Sequence, residues 1–104
     1  MIDILNPIKL TERAILEIEN IILTKSISDD YGLRVGLKGA GCGATYLLGF
    51  DLKTKADDAF EVGNINIFID RKHLMYLMGV EIDFEEGDEG KGFTFLAVEK
   101  IVTE

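Results

Sequence analysis

Tryptophan is absent from this chain of 104 residues, and cysteine, histidine and proline occur once each. A single cysteine excludes an intramolecular disulfide, and with it the Cys-x-x-Cys spacing of zinc and dithiol sites. A single histidine likewise excludes His-x-x-x-His. Basic residues are few: 11 lysines and arginines face 19 aspartates and glutamates, for a formal net charge of −8, and they are scattered along the chain. Nucleic acid is therefore not an expected partner, because a phosphate-binding surface needs a clustered cationic excess. Long apolar runs are missing too. Ile65 to Ile69 is short and broken by Asn66, far from the roughly 20 residues of a spanning helix. Met1-Ile2-Asp3-Ile4-Leu5 lacks the basic start and small-residue cleavage site of a signal peptide. The expectation is a cytoplasmic protein with no membrane segment, whose one thiol stays reduced.

What is present suits one compact domain over residues 1–104: 47% hydrophobic and 29% charged residues indicate an ordinary globular core. From Thr11 to Leu23 the spacing predicts an amphipathic helix, with Thr11 as N-cap and Ala14, Ile15, Ile18, Ile21 and Ile22 as one apolar stripe. Pro7 fits an extended lead-in. The period then changes to two. Leu33, Val35 and Leu37 predict one strand, and Tyr46, Leu48, Phe50 and Leu52 predict another. Asp57 to Val62 reads as a short strand ending in a Gly63-Asn64 turn, followed by a strand at Ile65, Ile67 and Ile69. Asp70 is placed to cap a short helix, Arg71 to Met78, closed by Gly79. Val80, Ile82 and Phe84 predict a strand, Gly87 to Gly92 a loose acidic turn, and Phe93, Phe95 and Ala97 the last strand. The class is α+β, β-rich, with mixed or antiparallel strands, an N-terminal amphipathic helix and a second short helix.

Chemistry centres on Cys42, in Gly39-Ala40-Gly41-Cys42-Gly43-Ala44, between two predicted strands. Free cysteine is often a small buried hydrophobe, and Gly39, Gly41 and Gly43 suffice to make a tight turn. The same glycines let backbone approach a ligand, which favours a reactive or metal-binding thiolate. A nucleophile would need a base, and His73 on the short helix is the one imidazole. Its position away from Leu74 and Leu77 reads as surface, with a thiolate-partner or metal-ligand role as the sharper alternative. No Lys-Ser/Thr follows the glycines, so they make no P-loop. Tyr31, Tyr46, Tyr76 and the six phenylalanines read as core filling. The acidic residues collect at Asp57-Asp58, Glu61 and the run 81–89, which reads as a solvated surface or as a docking surface for a basic partner.

Leu10-Thr11-Glu12-Arg13-Ala14, the element Gly32 to Tyr46 with Gly-x-Gly-Cys-x-x-x-Tyr at its end, Asp70 before a helix ending in Leu77-Met78-Gly79, Ile82-Asp83-Phe84 and Gly90-Lys91-Gly92-Phe93-Thr94-Phe95 run over nearly the whole chain. In this order they resemble the A-type iron-sulfur carriers, the HesB-like or IscA-like proteins. The resemblance implies a non-enzymatic accessory role in iron-sulfur cluster assembly, dimer formation, and assembly or recipient proteins as partners. It also implies iron or a cluster held by three cysteines, one in the glycine turn and a Cys-Gly-Cys pair near the C-terminus. Cys42 matches the first; residues 96–104, Leu96-Ala97-Val98-Glu99-Lys100-Ile101-Val102-Thr103-Glu104, offer no match for the pair. Clusters usually take about four thiolate-class ligands. What stays open is a labile cluster shared between two Cys42 thiolates and small thiols, iron held by Cys42 with carboxylates or His73, or no metal, in which case the chain is an interaction module that kept the fold. A redox-active cysteine is a further alternative.

Overall fold

The computed structural model describes residues 7–39 and 45–97. Among these, the elements run β1 (Lys9–Leu10), α1 (Glu12–Thr24), β2 (Tyr31–Lys38), β3 (Thr45–Leu52), β4 (Asp57–Val62), β5 (Ile65–Asp70), α2 (Arg71–Leu77), β6 (Val80–Gly87) and β7 (Gly90–Ala97). The strands form two sheets, one ordered β3-β2-β5-β4 and one ordered β1-β6-β7. Pairing is parallel between β2 and β5 and between β1 and β6, and antiparallel elsewhere. The expected α+β class and mixed pairing hold, and the lead-in after Pro7 adds a short strand of its own.

Helix α1 starts where its chemistry places it. Thr11 is extended, and its Oγ1 accepts from the Ala14 amide at 3.2 Å, satisfying one of the first-turn donors that no helical carbonyl can reach. The same hydroxyl donates to Asp83 Oδ1 at 2.5 Å, and Arg13 Nη2 donates to Asp83 Oδ2. The Thr11 amide also donates to the Ile82 carbonyl at 3.0 Å, so side chains and backbone together clasp the helix start to β6. The hydrogen bond from Arg13 is the main reason that Asp83 titrates low, at about 2. At the other end the Ile27 amide donates to the Ile22 carbonyl and the Ser26 amide to the Leu23 carbonyl. These are the two bonds of a Schellman motif, with Ser26 at φ 52° in the left-handed seat that glycine usually fills.

Ala14 and Ile18 bring the helix stripe onto Leu33 and Val35 of β2, Ile65, Ile67 and Ile69 of β5, and Val80 and Ile82 of β6, all buried in one cluster with Leu77. Fully burying a side chain of this size contributes about 1.5–3 kcal/mol, so the alternation in β2 and β6 fixes which face turns inward. β5 is buried on both faces at Phe68, whose ring lies over Gly32: a Cβ there would stand 2.6 Å from a ring carbon. Gly79, at φ 86°, follows α2 as expected and donates its amide to the Pro7 carbonyl.

Three expectations are corrected. Gly87 to Gly92 is not a loose turn, because β6 and β7 pair outward as far as Gly87 opposite Gly90, leaving only Asp88 and Glu89 between them. Tyr31 and Tyr76 do not fill the core: they are 41% and 67% exposed, Tyr31 at a strand end and Tyr76 on the outer side of α2. Asp57, counted with the surface acids, is buried.

Candidate functional site

β2 and β3 pair along their whole length, from Tyr31 opposite Leu52 to Lys38 opposite Thr45. The segment between them is therefore the link of a hairpin, as the alternation on either side requires. Gly39 opens it at φ 91°, a left-handed conformation that a side chain resists. Cys42, Gly41 and Gly43 lie outside the described residues. Period-two alternation sends Leu33, Val35, Leu37, Tyr46, Leu48 and Phe50 to the inner face of this hairpin. Arg34, Gly36, Lys38, Thr45 and Leu47 go to the outer face.

On the inner face Tyr46 stacks on Phe95, with ring centroids 4.7 Å apart and planes 8° apart. The stack puts the last strand beside the first residues of β3. A half-open space of about 390 Å³ adjoins it, between α1, β3 and β7, lined by Ile18, Ile21, Leu48, Phe50, Phe93 and their neighbours. Its lining is almost wholly apolar, so it offers no donor set for a metal.

On the outer face His73 is not the surface residue its sequence position suggests. It is half-buried, and its Nδ1 lies 3.2 Å from the place where a Cβ on Gly36 would stand. The imidazole thus occupies the gap left by a glycine in β2, two residues before Lys38, and its Nδ1–Cε1 edge faces the strand. Nothing in the local spacing of α2 signals this, because the contact depends on how α2 returns over the sheet.

Farther along the same face lies an ion pair that reading the chain by segments misses. Arg34 Nη1 and Nη2 donate to the two carboxylate oxygens of Asp57 at 2.8 and 2.6 Å, while Nε donates to Asp51 and Nη2 also reaches the Leu52 carbonyl. The Thr54 amide and hydroxyl complete the shell of Asp57. The Arg34 fork holds the Asp57 carboxyl well below the usual carboxylate range against the opposing effect of burial, and Asp57 raises Arg34 in return. Arg71 extends the network to Asp58 and to the Asp57 and Lys55 carbonyls. With both carboxylate oxygens of Asp51 and of Asp57 engaged, these acids serve as a lock on the β3–β4 connection. Among the described residues no three His, Cys, Asp or Glu side chains come together to hold a metal ion. Nor, among them, is any helix long and apolar enough to cross a membrane.

The family model for iron-sulphur cluster biosynthesis matches residues 6–98. The iron-sulfur cluster insertion protein ErpA of Aeromonas salmonicida is 37% identical over 90 residues, which is 85% of this chain and 77% of that protein. The iron-binding protein IscA of Proteus mirabilis is 34% identical over 90 residues, 85% of this chain and 82% of that protein. In three dimensions the crystal structure of Escherichia coli SufA, involved in biosynthesis of iron-sulfur clusters, superposes with a TM-score of 0.72 at 23% identity, covering 91% of this chain and 89% of that one. That likeness carries the fold.

Proposed function

We propose, because this chain belongs to the iron-sulphur cluster biosynthesis family of A-type carriers, that it is a non-enzymatic accessory protein of iron-sulphur assembly whose cargo is taken up at Cys42. The observation that carries this is the family match over residues 6–98, which spans the glycine turn and both strands that present it. The cargo is iron or a labile cluster, and it is substrate, not a resident cofactor.

The donor set limits how that cargo is held. One copy of the 104 residues supplies one thiolate, against the four thiolate-class ligands a cluster takes, and the described residues bring no trio of metal-binding side chains together. A cluster therefore does not fit a single copy. The fitting arrangements are two copies sharing a cluster through their Cys42 thiolates and small thiols, or iron held by Cys42 with carboxylates. His73 is a poor third ligand through Nδ1, which is turned onto Gly36; only Nε2 is left for such a role. Sparse ligation makes the cargo weakly held and exchangeable, which suits a carrier whose partners are assembly and recipient proteins.

Anaerobic reconstitution with ferrous iron and sulfide tests this. Wild type takes up iron with visible absorbance and yields it to a chelator, and Cys42→Ser takes up neither. Sedimentation of the loaded protein reports whether two copies share the cargo. Wild type that binds no iron above the buffer blank would falsify the assignment.

A further inference from the structure

Helix α1 and the β6–β7 hairpin leave a concave space of about 340 Å³ between them, lined by Arg13, Leu16, Glu17, Phe84 and Glu86. Period-two alternation explains the strand side: Ile82 is buried in the core, so Phe84 and Glu86 continue the same inner face beyond it, toward the tip of the hairpin. Phe84 meets its cross-strand neighbour Phe93 edge to face, with ring centroids 4.9 Å apart. Phe93 in turn lines the apolar space beside the Tyr46–Phe95 stack, and so does Ile21, one helical turn beyond Glu17. The two spaces thus adjoin along one side of α1, and from Arg13 to Ile21 they follow the helix for roughly 12 Å. Leu16 borders this groove and is 66% exposed. A lone exposed leucine is commonplace; one that lines a concave surface next to aromatic rings marks a place for another apolar side chain.

The charge along the groove is uneven. At the β6 end Glu17 and Glu86 line it, with Glu12 and Glu85 adjacent in the chain to Arg13 and Glu86. Both cations at this end already have a carboxylate: Arg13 donates to Asp83 from two nitrogens, and Lys91 lies 3.3 Å from Glu86. Among the described residues Glu17 enters no ion pair. The opposite end is apolar, and Lys25 caps the helix one turn past Ile21. We propose that this groove binds a segment of a partner protein in which lysines or arginines stand next to a short apolar run, the cations meeting Glu17 and Glu86 and the apolar side chains lying against Leu16, Phe84 and Phe93. Charge complementarity selects this occupant. Nucleic acid, an anionic bilayer and a second copy of a chain with net charge −8 would all bring negative charge to carboxylates. The inference rests on the groove and stands apart from how cargo is held at Cys42.

The probe is a fluorescein-labelled peptide, Lys-Arg-Lys-Leu-Phe-Leu-Ser-Gly, whose binding to the full chain is followed by fluorescence anisotropy at low and at high salt. Two relatives of it carry Ser in place of Leu and Phe, or Glu in place of Lys and Arg. Wild type is expected to bind the first peptide at least about tenfold more tightly than either relative. Glu17→Lys/Glu86→Lys weakens binding by about tenfold or more and flattens its salt dependence, whereas Leu16→Ser weakens it about threefold or more with the salt dependence kept. Glu61→Lys, on β4, reverses a carboxylate outside the groove and changes nothing. Circular dichroism and urea midpoints confirm that each variant folds, and Leu16→Ser, at an exposed position, keeps the test decisive if the double variant does not fold. The proposal is overturned if wild type does not bind the first peptide, if the serine peptide binds as tightly, or if the groove variants bind unchanged. It is equally overturned if Glu61→Lys loses as much, which would make the attraction a property of net charge alone. Loss of self-association in sedimentation by Leu16→Ser, with the peptide still bound, gives the face to a second copy and overturns it too. Peptide binding in the expected pattern by a protein that takes up no iron sinks the assigned function and leaves the groove standing. Iron uptake without peptide binding does the reverse.

Discussion

A side chain at Gly36 is crowded by a neighbour and not by its backbone, since its φ is not in the left-handed region and a Cβ there would stand 3.2 Å from His73 Nδ1. Gly36→Ala is expected to destabilise the protein by about 1 kcal/mol, the cost of crowding a packed contact. In Gly36→Ala/His73→Ala most of that loss returns. Urea denaturation of the two single variants and the double variant measures the coupling, and no recovery in the double variant would show that backbone conformation is the cause. Gly32 is constrained in the same way by the Phe68 ring. Gly39 differs from both, because there the backbone itself sits at positive φ. These glycines look alike in the sequence, and only the neighbours distinguish their reasons.

At the scale of an element, α1 is held at both ends by different chemistry. Ser26 carries the left-handed φ of the Schellman motif with a side chain attached. Ser26→Gly removes the Cβ conflict and, after glycine's own entropy cost, is expected to raise stability by about 0.5 kcal/mol. A higher urea midpoint with an unchanged slope would confirm it, and a lower midpoint would refute it. The N-terminal clasp gives the opposite kind of handle. Asp83 titrates at about 2 in the folded protein and near 3.9 when unfolded. As the pH falls, the unfolded chain takes up the proton first, so stability declines with falling pH. The contribution of the clasp is full above about pH 4 and is lost as the pH falls through about 2. Asp83→Asn is therefore less stable than wild type at neutral pH, and the gap between their thermal midpoints narrows toward pH 2. A gap that stayed constant across that range would contradict the clasp.

For the whole molecule, two sheets contribute to one buried cluster. Helix α1 packs on β6 and contributes Ala14 and Ile18 to a core that also holds Leu33, Ile67 and Val80. The Tyr46–Phe95 stack joins the edge strands β3 and β7 directly. Tyr46→Leu and Phe95→Leu, alone and combined, should give a coupling energy of about 1 kcal/mol in a double-mutant cycle, as expected for a stacked aromatic pair. Additive effects would mean that the stack itself adds no coupling between the two strands.

The sequence by itself determined the order of the elements, because period-two and helical alternation are written in neighbouring residues. Thr11 as a cap, Asp70 as a second cap and Leu33-Val35-Leu37 as an inward face needed no tertiary knowledge. The family pattern was likewise legible, while Cys42 between its glycines lies outside the described residues. Tertiary structure decided what depends on residues far apart in the chain. It tied Arg34 to Asp57 and Arg13 to Asp83, and turned His73 onto Gly36. Alternation tells a side chain which way to point, and only the folding of distant strands onto one another tells it what it meets.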